Sequence, residues 1–210
     1  MAKLLFMMFA VFYMSAASAS DVDALIAQVE TKYEGVTVMK ANFVQTTKSA
    51  LYGDQQQKGT LTLKRPSKMR WDFQGDEKTF VTDGTTMWIY TKADNQVIRY
   101  NDFASTASTA DSLLQSLDQL SRLFAVELVS SEPTVLALTP TDASAASQVK
   151  GLQLTLNAEL EVSAVSVTDA FDGVTELVFE ALELGGEAPD SVFAFTIPEG
   201  ATVVDAGSTL

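Results

Sequence analysis

The protein has 210 residues, with 14 lysines and arginines against 27 aspartates and glutamates, which gives a formal net charge of −13. It contains no histidine and no cysteine, so histidine-dependent catalysis, cysteine nucleophiles, thiolate metal sites and disulfides are all excluded. So negative a chain also argues against nucleic-acid binding, which depends on clustered lysine and arginine at the phosphates.

The start of the chain has the pattern of a secretory signal peptide. Lys3 provides a positive charge, residues 4–14 form an apolar run too short to span a bilayer, and Ala17-Ser18-Ala19 has the small residues of a cleavage site. A retained membrane anchor is the alternative, which the lack of further apolar residues disfavours. We therefore expect export, removal of residues 1–19 and one mature domain at 20–210.

A helix is predicted at the start of the mature domain and strands directly after it. Ser20 and Asp23 have capping-box spacing, and apolar residues recur at helical intervals until Gly35. The period then changes to two, which is typical of half-buried antiparallel strands. The alternating apolar residues are Met39, Ala41 and Phe43, then Leu61 and Leu63, then Met69, Trp71 and Phe73.

The segment KGTLTLKRPSKMRWDF at residues 58–73 holds five of the chain's 14 cations. In a regular strand Arg65 shares a face with the leucines, whereas Lys64 lies on the opposite, polar face. Pro66 has no N–H for the ladder and ends the strand there. Arg65 therefore either lies at the rim of the apolar face, where it can donate to carbonyls of a covering element, or turns out into water.

The turn Thr82-Asp83-Gly84-Thr85 predicts a hairpin of residues 80–81 and 87–91, and its second strand carries Met87 and Ile89. Leucines at spacings of three and four then predict a second amphipathic segment, which begins with Leu113, Leu114 and Leu117. Further strands are expected at residues 96–100, 124–129, 134–139, 152–156, 160–167, 174–182 and 192–197, with a small-residue loop at 142–148. About ten or eleven strands predict a mainly β fold, a large curved antiparallel sheet whose open side is closed by helices.

The carboxylates show no catalytic arrangement. Pairs such as Asp76-Glu77, and Glu180 with Glu183, lie in no apolar setting of the kind that forms a catalytic dyad, so solvated surface charge is the better interpretation. No phosphate-binding loop, nucleophile elbow or metal-ligand cluster occurs in the sequence. We therefore expect no enzymatic activity, no cofactor and no metal.

A series of motifs occurs in the order found in one known family. After the secretory signal and first helix come Ala41-Asn42-Phe43-Val44-Gln45, the segment from Gly59 to Arg70, Asp83-Gly84 with Met87-Trp88-Ile89-Tyr90, and a terminal segment from Phe195 to Asp205. Over essentially the whole mature domain, the chain resembles the LolA family, the periplasmic outer-membrane lipoprotein carrier proteins of Gram-negative bacteria.

The resemblance implies an incomplete, strongly curved antiparallel β-barrel closed by a lid of α-helices. It further implies a periplasmic monomer that takes acylated lipoproteins from an inner-membrane ABC transporter, shields their acyl chains in an apolar cavity and passes them to an outer-membrane receptor. By the same likeness Arg65 matches the arginine that bonds the lid. The expected cavity wall comprises Leu61, Leu63, Met69, Trp71, Phe73, Met87 and Ile89, and the expected lid helix carries Leu113, Leu114 and Leu117.

Two features of the sequence bear on this resemblance. Thr109-Ala110 replaces the Thr-Pro common before the lid helix of the family. The family's receptor has the same fold but is anchored through a lipidated N-terminal cysteine, so the lack of cysteine favours the carrier. The alternative function is a periplasmic lipid- or protein-sensing regulatory module of the same fold.

Overall fold

The computed structural model describes residues 19–48, 53–75, 78–103 and 108–206. The predicted signal peptide lies outside these residues except for Ala19, and the Asp76-Glu77 pair lies outside them as well. Across the described ranges, none of the helices has both the length and the apolar character needed to cross a membrane.

The described residues form one sheet of twelve strands with short helical segments. The strands are β1 Val38–Lys48, β2 Gln55–Lys64, β3 Lys68–Gln74, β4 Lys78–Thr82, β5 Met87–Thr91, β6 Gln96–Tyr100, β7 Phe124–Ser131, β8 Thr134–Pro140, β9 Val149–Leu156, β10 Val162–Asp169, β11 Val174–Leu184 and β12 Thr202–Asp205. The helices are α1 Ala19–Tyr33, α2 Thr109–Gln115, α3 Leu120–Leu123 and α4 Ala143–Gln148, with 3₁₀ turns at Leu117–Gln119 and Asp190–Phe193.

Eleven strands of the sheet form two antiparallel meanders, β1–β6 and β7–β11, and β12 is added at the edge beside β6. The strand order is β12-β6-β5-β4-β3-β2-β1-β11-β10-β9-β8-β7, so β1 pairs with β11 at the centre. Leu61 from one meander and Leu154 from the other belong to the same apolar core, around which the open sheet curves. The predicted mainly β fold, with a curved antiparallel sheet and a helical cover, is confirmed.

Helix α1 packs into the concave side of the sheet along one apolar stripe. Ile26, Val29 and Tyr33 are almost completely buried, and Gly35 takes the left-handed conformation (φ +76°) that ends the helical region. The Tyr33 hydroxyl accepts a hydrogen bond of 2.8 Å from the Val162 amide. Because its side chain is desolvated by burial, the pKa of Tyr33 rises to about 12, so the phenol stays neutral at physiological pH.

Two expectations about chain segments were wrong. A loop was expected at residues 142–148, but helix α4 forms there at Ala143–Gln148, because the Asp142 side chain accepts from the Ala145 amide and caps a run rich in alanine. Residues 192–197 do not form a strand: a 3₁₀ turn occupies Asp190–Phe193, and the last strand is β12, parallel to β6. The sheet therefore has one parallel pair at its edge.

Gly59 is required where β2 passes the aromatic core. A Cβ atom at this position would overlap the Asp72 carbonyl oxygen and lie 2.7 Å from the Phe43 ring. We expect Gly59→Ala to lower the free energy of unfolding by about 1–3 kcal/mol, measured by chemical denaturation. Gly151→Ala in β9 is the matched control, because its Cβ would meet only Thr168 at 3.5 Å; an equal loss in both variants would contradict the explanation.

Candidate functional site

A cavity of about 460 Å³ lies between the two halves of the concave face. One wall comes from β3, β4 and β5, and it consists of Met69, Trp71, Phe73, Phe80, Val81, Thr82 and Met87. The opposite wall comes from β1, β9, β10, β11 and the turn before β11, and it consists of Gln45, Val149, Val167, Asp169, Gly173, Thr175 and Leu177. Phe103, Ser108, Ala110 and Asp111 complete the lining. Most of these groups are apolar, so the cavity suits an apolar ligand.

Aromatic rings form a continuous row beneath and beside the cavity. The Phe43 ring makes edge-to-face contacts with Trp71 and Phe73, at centroid distances of 4.9 and 5.0 Å. Phe73 contacts Phe80 in the same way at 5.4 Å. Edge-to-face pairs add stabilisation beyond their buried area, so this wall is held in a fixed shape. Lys78 lies 4.7 Å from the centroid of the Phe80 ring at the end of the row.

The residues from 108 to 123, which we call the lid segment, cross the open side of the sheet. Leu113, Leu114, Leu117 and Leu120 are all at most 1% exposed. The segment is not one helix: it bends at Ser116, whose backbone leaves the helical region, and continues through a 3₁₀ turn into α3. Because of this bend, leucines that would point in different directions on one straight helix all face the same core.

A capping box fixes the start of the lid segment at the cavity. The Ser108 hydroxyl accepts from the Asp111 amide at 3.1 Å, and the Asp111 carboxylate accepts from the Ser108 amide at 3.2 Å. Burial raises the pKa of the Asp111 carboxyl, against hydrogen bonds from Ser108 and from the Trp71 side chain that lower it. The box therefore connects the first turn of α2 to the cavity wall.

Arg65 points to the apolar side of the sheet and is 16% exposed. Its Nη1 atom donates to the Tyr33 carbonyl oxygen at 3.3 Å and lies 3.1 Å from Oδ2 of Asp118 in the lid segment. We call Arg65, Tyr33 and Asp118 the latch, because the guanidinium joins α1, the lid segment and the β2–β3 turn. A second tie lies nearby, where the Glu30 carboxylate accepts from the Ser121 amide at 2.7 Å and from its hydroxyl at 2.8 Å.

The structure brings together some of the predicted site residues and separates others. Met69, Trp71, Phe73 and Met87 line the cavity. Leu61 and Leu63 are buried in the core beside it, opposite Trp71 and Met69 in the ladder. Ile89 is half-buried opposite Phe80 and does not line the cavity. Leu113, Leu114 and Leu117 all lie in the lid segment and face the core.

Sequence reasoning missed the second wall of the cavity and the acidic partner of Arg65. The second wall depends on which strands meet across the sheet, and no local pattern indicates that. Asp118 did leave a signal, because it is the one acidic residue between Leu113 and Phe124, a segment otherwise dominated by leucine. A lone carboxylate in such an apolar segment needs a cationic partner. The alternation of side chains along β2 places Arg65 on the apolar side of the sheet, which is the side that this segment covers.

On the outer face of the sheet, the cations of β2 and β3 bind residues 185–201, which we call the strap. Lys64 donates to the Ala188 carbonyl at 2.9 Å and to Asp190 at 2.7 Å, and Arg70 donates to the Val192 carbonyl at 3.3 Å. Ala188 and Phe193 of the strap form a small separate core with Val38 of β1. In the part of the chain that the structure describes, no cluster of acidic side chains is arranged to hold a metal ion.

Comparison with known proteins gives one consistent family. The sequence model of the family described as "Outer membrane lipoprotein carrier protein LolA" matches residues 34–196. A protein from Alkalilimnicola ehrlichii named outer-membrane lipoprotein carrier protein is 29% identical, over 95% of this chain and 95% of its own length. A protein of the same name from Chromohalobacter salexigens is 31% identical over 73% of each chain.

A solved structure shares the fold. The crystal structure of an uncharacterized conserved protein from Thermus thermophilus matches with a TM-score of 0.51, over 88% of this chain and 99% of that one. The identity is 14%, so this is a likeness in fold alone.

Proposed function

Since the chain belongs to the LolA family of outer membrane lipoprotein carrier proteins, we propose that it takes acylated lipoproteins from an inner-membrane ABC transporter and hands them to an outer-membrane receptor. Removal of residues 1–19 would place the mature domain in the periplasm, where this transfer occurs. The carrier acts without covalent chemistry and without a cofactor, and Met69, Trp71, Phe73 and Met87 contact the acyl chains of the cargo.

The observation that carries the proposal is an apolar cavity beneath a lid segment that is held by the Arg65–Asp118 ion pair and by the hydrogen bonds between Glu30 and Ser121. Burying an acyl chain stabilises it by about 0.8 kcal/mol per methylene, so moving one ordinary chain through water costs on the order of 10 kcal/mol. An aqueous carrier must therefore enclose the chain. The cavity, with a volume of 460 Å³, lies within the range of about 300–1,000 Å³ typical of ligand sites.

The latch explains how such a cavity can be closed when empty and open for cargo. An apolar concavity exposed to water would be prone to aggregation. Arg65 holds the lid segment through its ion pair with Asp118 and is itself anchored to α1 by a hydrogen bond to the Tyr33 carbonyl. Contacts of this kind contribute about 0.5–3 kcal/mol each. Cargo whose burial is worth more than these contacts shifts the equilibrium towards the open state. Energy for loading comes from the donor.

Native mass spectrometry tests the proposal directly. The protein should be co-expressed with a lipoprotein in cells depleted of the outer-membrane receptor, and purified without detergent. We expect a one-to-one complex with the acylated polypeptide. The control is the same lipoprotein without its lipidated cysteine, which should not be recovered. Purification of the protein free of any acylated partner would contradict the carrier role and favour a sensing module of the same fold.

A further inference from the structure

The β2–β3 turn, at residues 65–67, is held from both faces of the sheet. On the inner face Arg65 reaches the lid segment through Asp118. On the outer face Lys64 and Lys68 both bind the carboxylate of Asp190 in the strap, at 2.7 Å to Oδ1 and 3.0 Å to Oδ2. The two sets of contacts meet at one turn, since Arg65 directly follows Lys64.

The contacts on the outer face offset repulsion between two lysines that are paired in the β2–β3 ladder. Lys64 and Lys68 are directly opposite each other in the last residue pair before the turn. Like charges in opposed positions destabilise a strand pair. The Asp190 carboxylate bridges the two ammonium groups, and they in turn lower its pKa to about 2, so it stays ionised near neutral pH.

We propose that Asp190 is a positioning residue for the latch: by neutralising Lys64 and Lys68 together, it fixes the turn from which Arg65 reaches the lid segment. This inference rests on the role of Arg65 in the proposed function. The backbone supports the same connection, because the Arg65 amide donates to the Thr37 carbonyl at 2.8 Å, and a turn splayed by repulsion would lose that bond. The strap on the outer face thereby influences closure of the cavity on the inner face.

Asp190→Asn tests this coupling in the cargo-free protein. The readout is binding of 1-anilinonaphthalene-8-sulfonate, which fluoresces in exposed apolar sites. Because Asp190 is largely exposed, its ion pairs are individually weak, and we expect dye binding to rise about two- to fivefold. Amide hydrogen exchange of Arg65, followed by NMR, should accelerate at the same time. Asp190→Glu should restore both values.

Asp205→Asn is the matched control. Asp205 also forms an ion pair at the sheet surface, with Arg99 at 2.6 Å, but this pair lies on β12 and β6, away from the turn. Dye binding that rises no more for Asp190→Asn than for Asp205→Asn would overturn the positioning role. The role is supported if dye binding rises more in Asp190→Asn than in the control and returns to the wild-type value in Asp190→Glu.

The double variant separates this inference from the proposed function. In an Arg65→Leu background, Asp190→Asn should add no further dye binding, since the latch is already absent. A full additional increase there would show that Asp190 acts independently of Arg65 and would overturn the inference while leaving the latch intact. If Arg65→Leu alone leaves dye binding unchanged, the latch itself is refuted, and the positioning role with it.

Discussion

Arg65→Leu should leave the lid segment of the empty protein open. The substitution removes the hydrogen bond to the Tyr33 carbonyl and leaves the Asp118 carboxylate, which is 25% exposed, without its cation. Hydrogen bonds that involve a charged group contribute about 1.5–3 kcal/mol, so we expect the closing equilibrium to shift by about 2 kcal/mol, roughly thirtyfold. The measurements are dye binding to the cargo-free protein and hydrogen exchange in residues 108–123.

The same variant should still bind cargo but release it poorly. With the closed state weakened, less free energy is recovered when the cavity empties, so transfer to an acceptor should slow. Arg65→Lys is the control, because an ammonium can pair with Asp118 but cannot reproduce the planar guanidinium, and it should give an intermediate result. Wild-type dye binding and wild-type release together would remove Arg65 from the mechanism.

Met69→Glu should abolish most binding of apolar ligands. Met69 is 3% exposed, faces the cavity beside Trp71 and lies opposite Leu63 in the ladder. A carboxylate there must either be desolvated or hold water in the cavity, and both cost free energy when an acyl chain enters. We expect affinity for a fluorescent fatty acid to fall at least tenfold, and the free energy of unfolding to fall by roughly 3 kcal/mol.

Two further variants separate loss of the cavity from loss of the fold. Met69→Gln adds polarity without charge, and it should retain the fold while still weakening fatty-acid binding. Thr62→Glu places the same charge on the outer face, opposite Arg70, and should leave binding unchanged. Equal affinity in wild type and Met69→Glu would contradict the assignment of this wall to cargo.

Local patterns in the sequence predicted most of the sheet but only half of the cavity. Alternation identified β1, β2 and β3, because each has one face in the core, and the same parity placed Arg65 with the leucines. Whether Arg65 pointed inward could not be decided from sequence, since its partner Asp118 is more than fifty residues away in the chain. The second wall was missed for the same reason: Leu177 meets the first wall only through pairing of β1 with β11.

Segments with weak periodicity were the other source of error. Residues 142–148 are small and polar enough to suggest a loop, yet the Asp142 cap is sufficient for one and a half turns of helix. Residues 192–197 alternate like a strand, but Phe193 of the strap is buried against Val38 of β1, and Phe195 stacks on Trp88. The alternation of apolar and polar residues in this segment arises because it packs on the outer surface of the sheet, and not because it pairs with a neighbouring strand.

The central pairing of β1 with β11 also determines the order in which the protein can fold. It joins Met39 to Leu184, so this strand pair forms only when nearly all of the chain is available. Each meander is built from local hairpins, but the connection between them has high contact order and is therefore slow. Until it forms, both meanders present unpaired strand edges and a bare apolar face. The incompletely folded chain therefore exposes the kind of surface that favours aggregation until β1 and β11 pair.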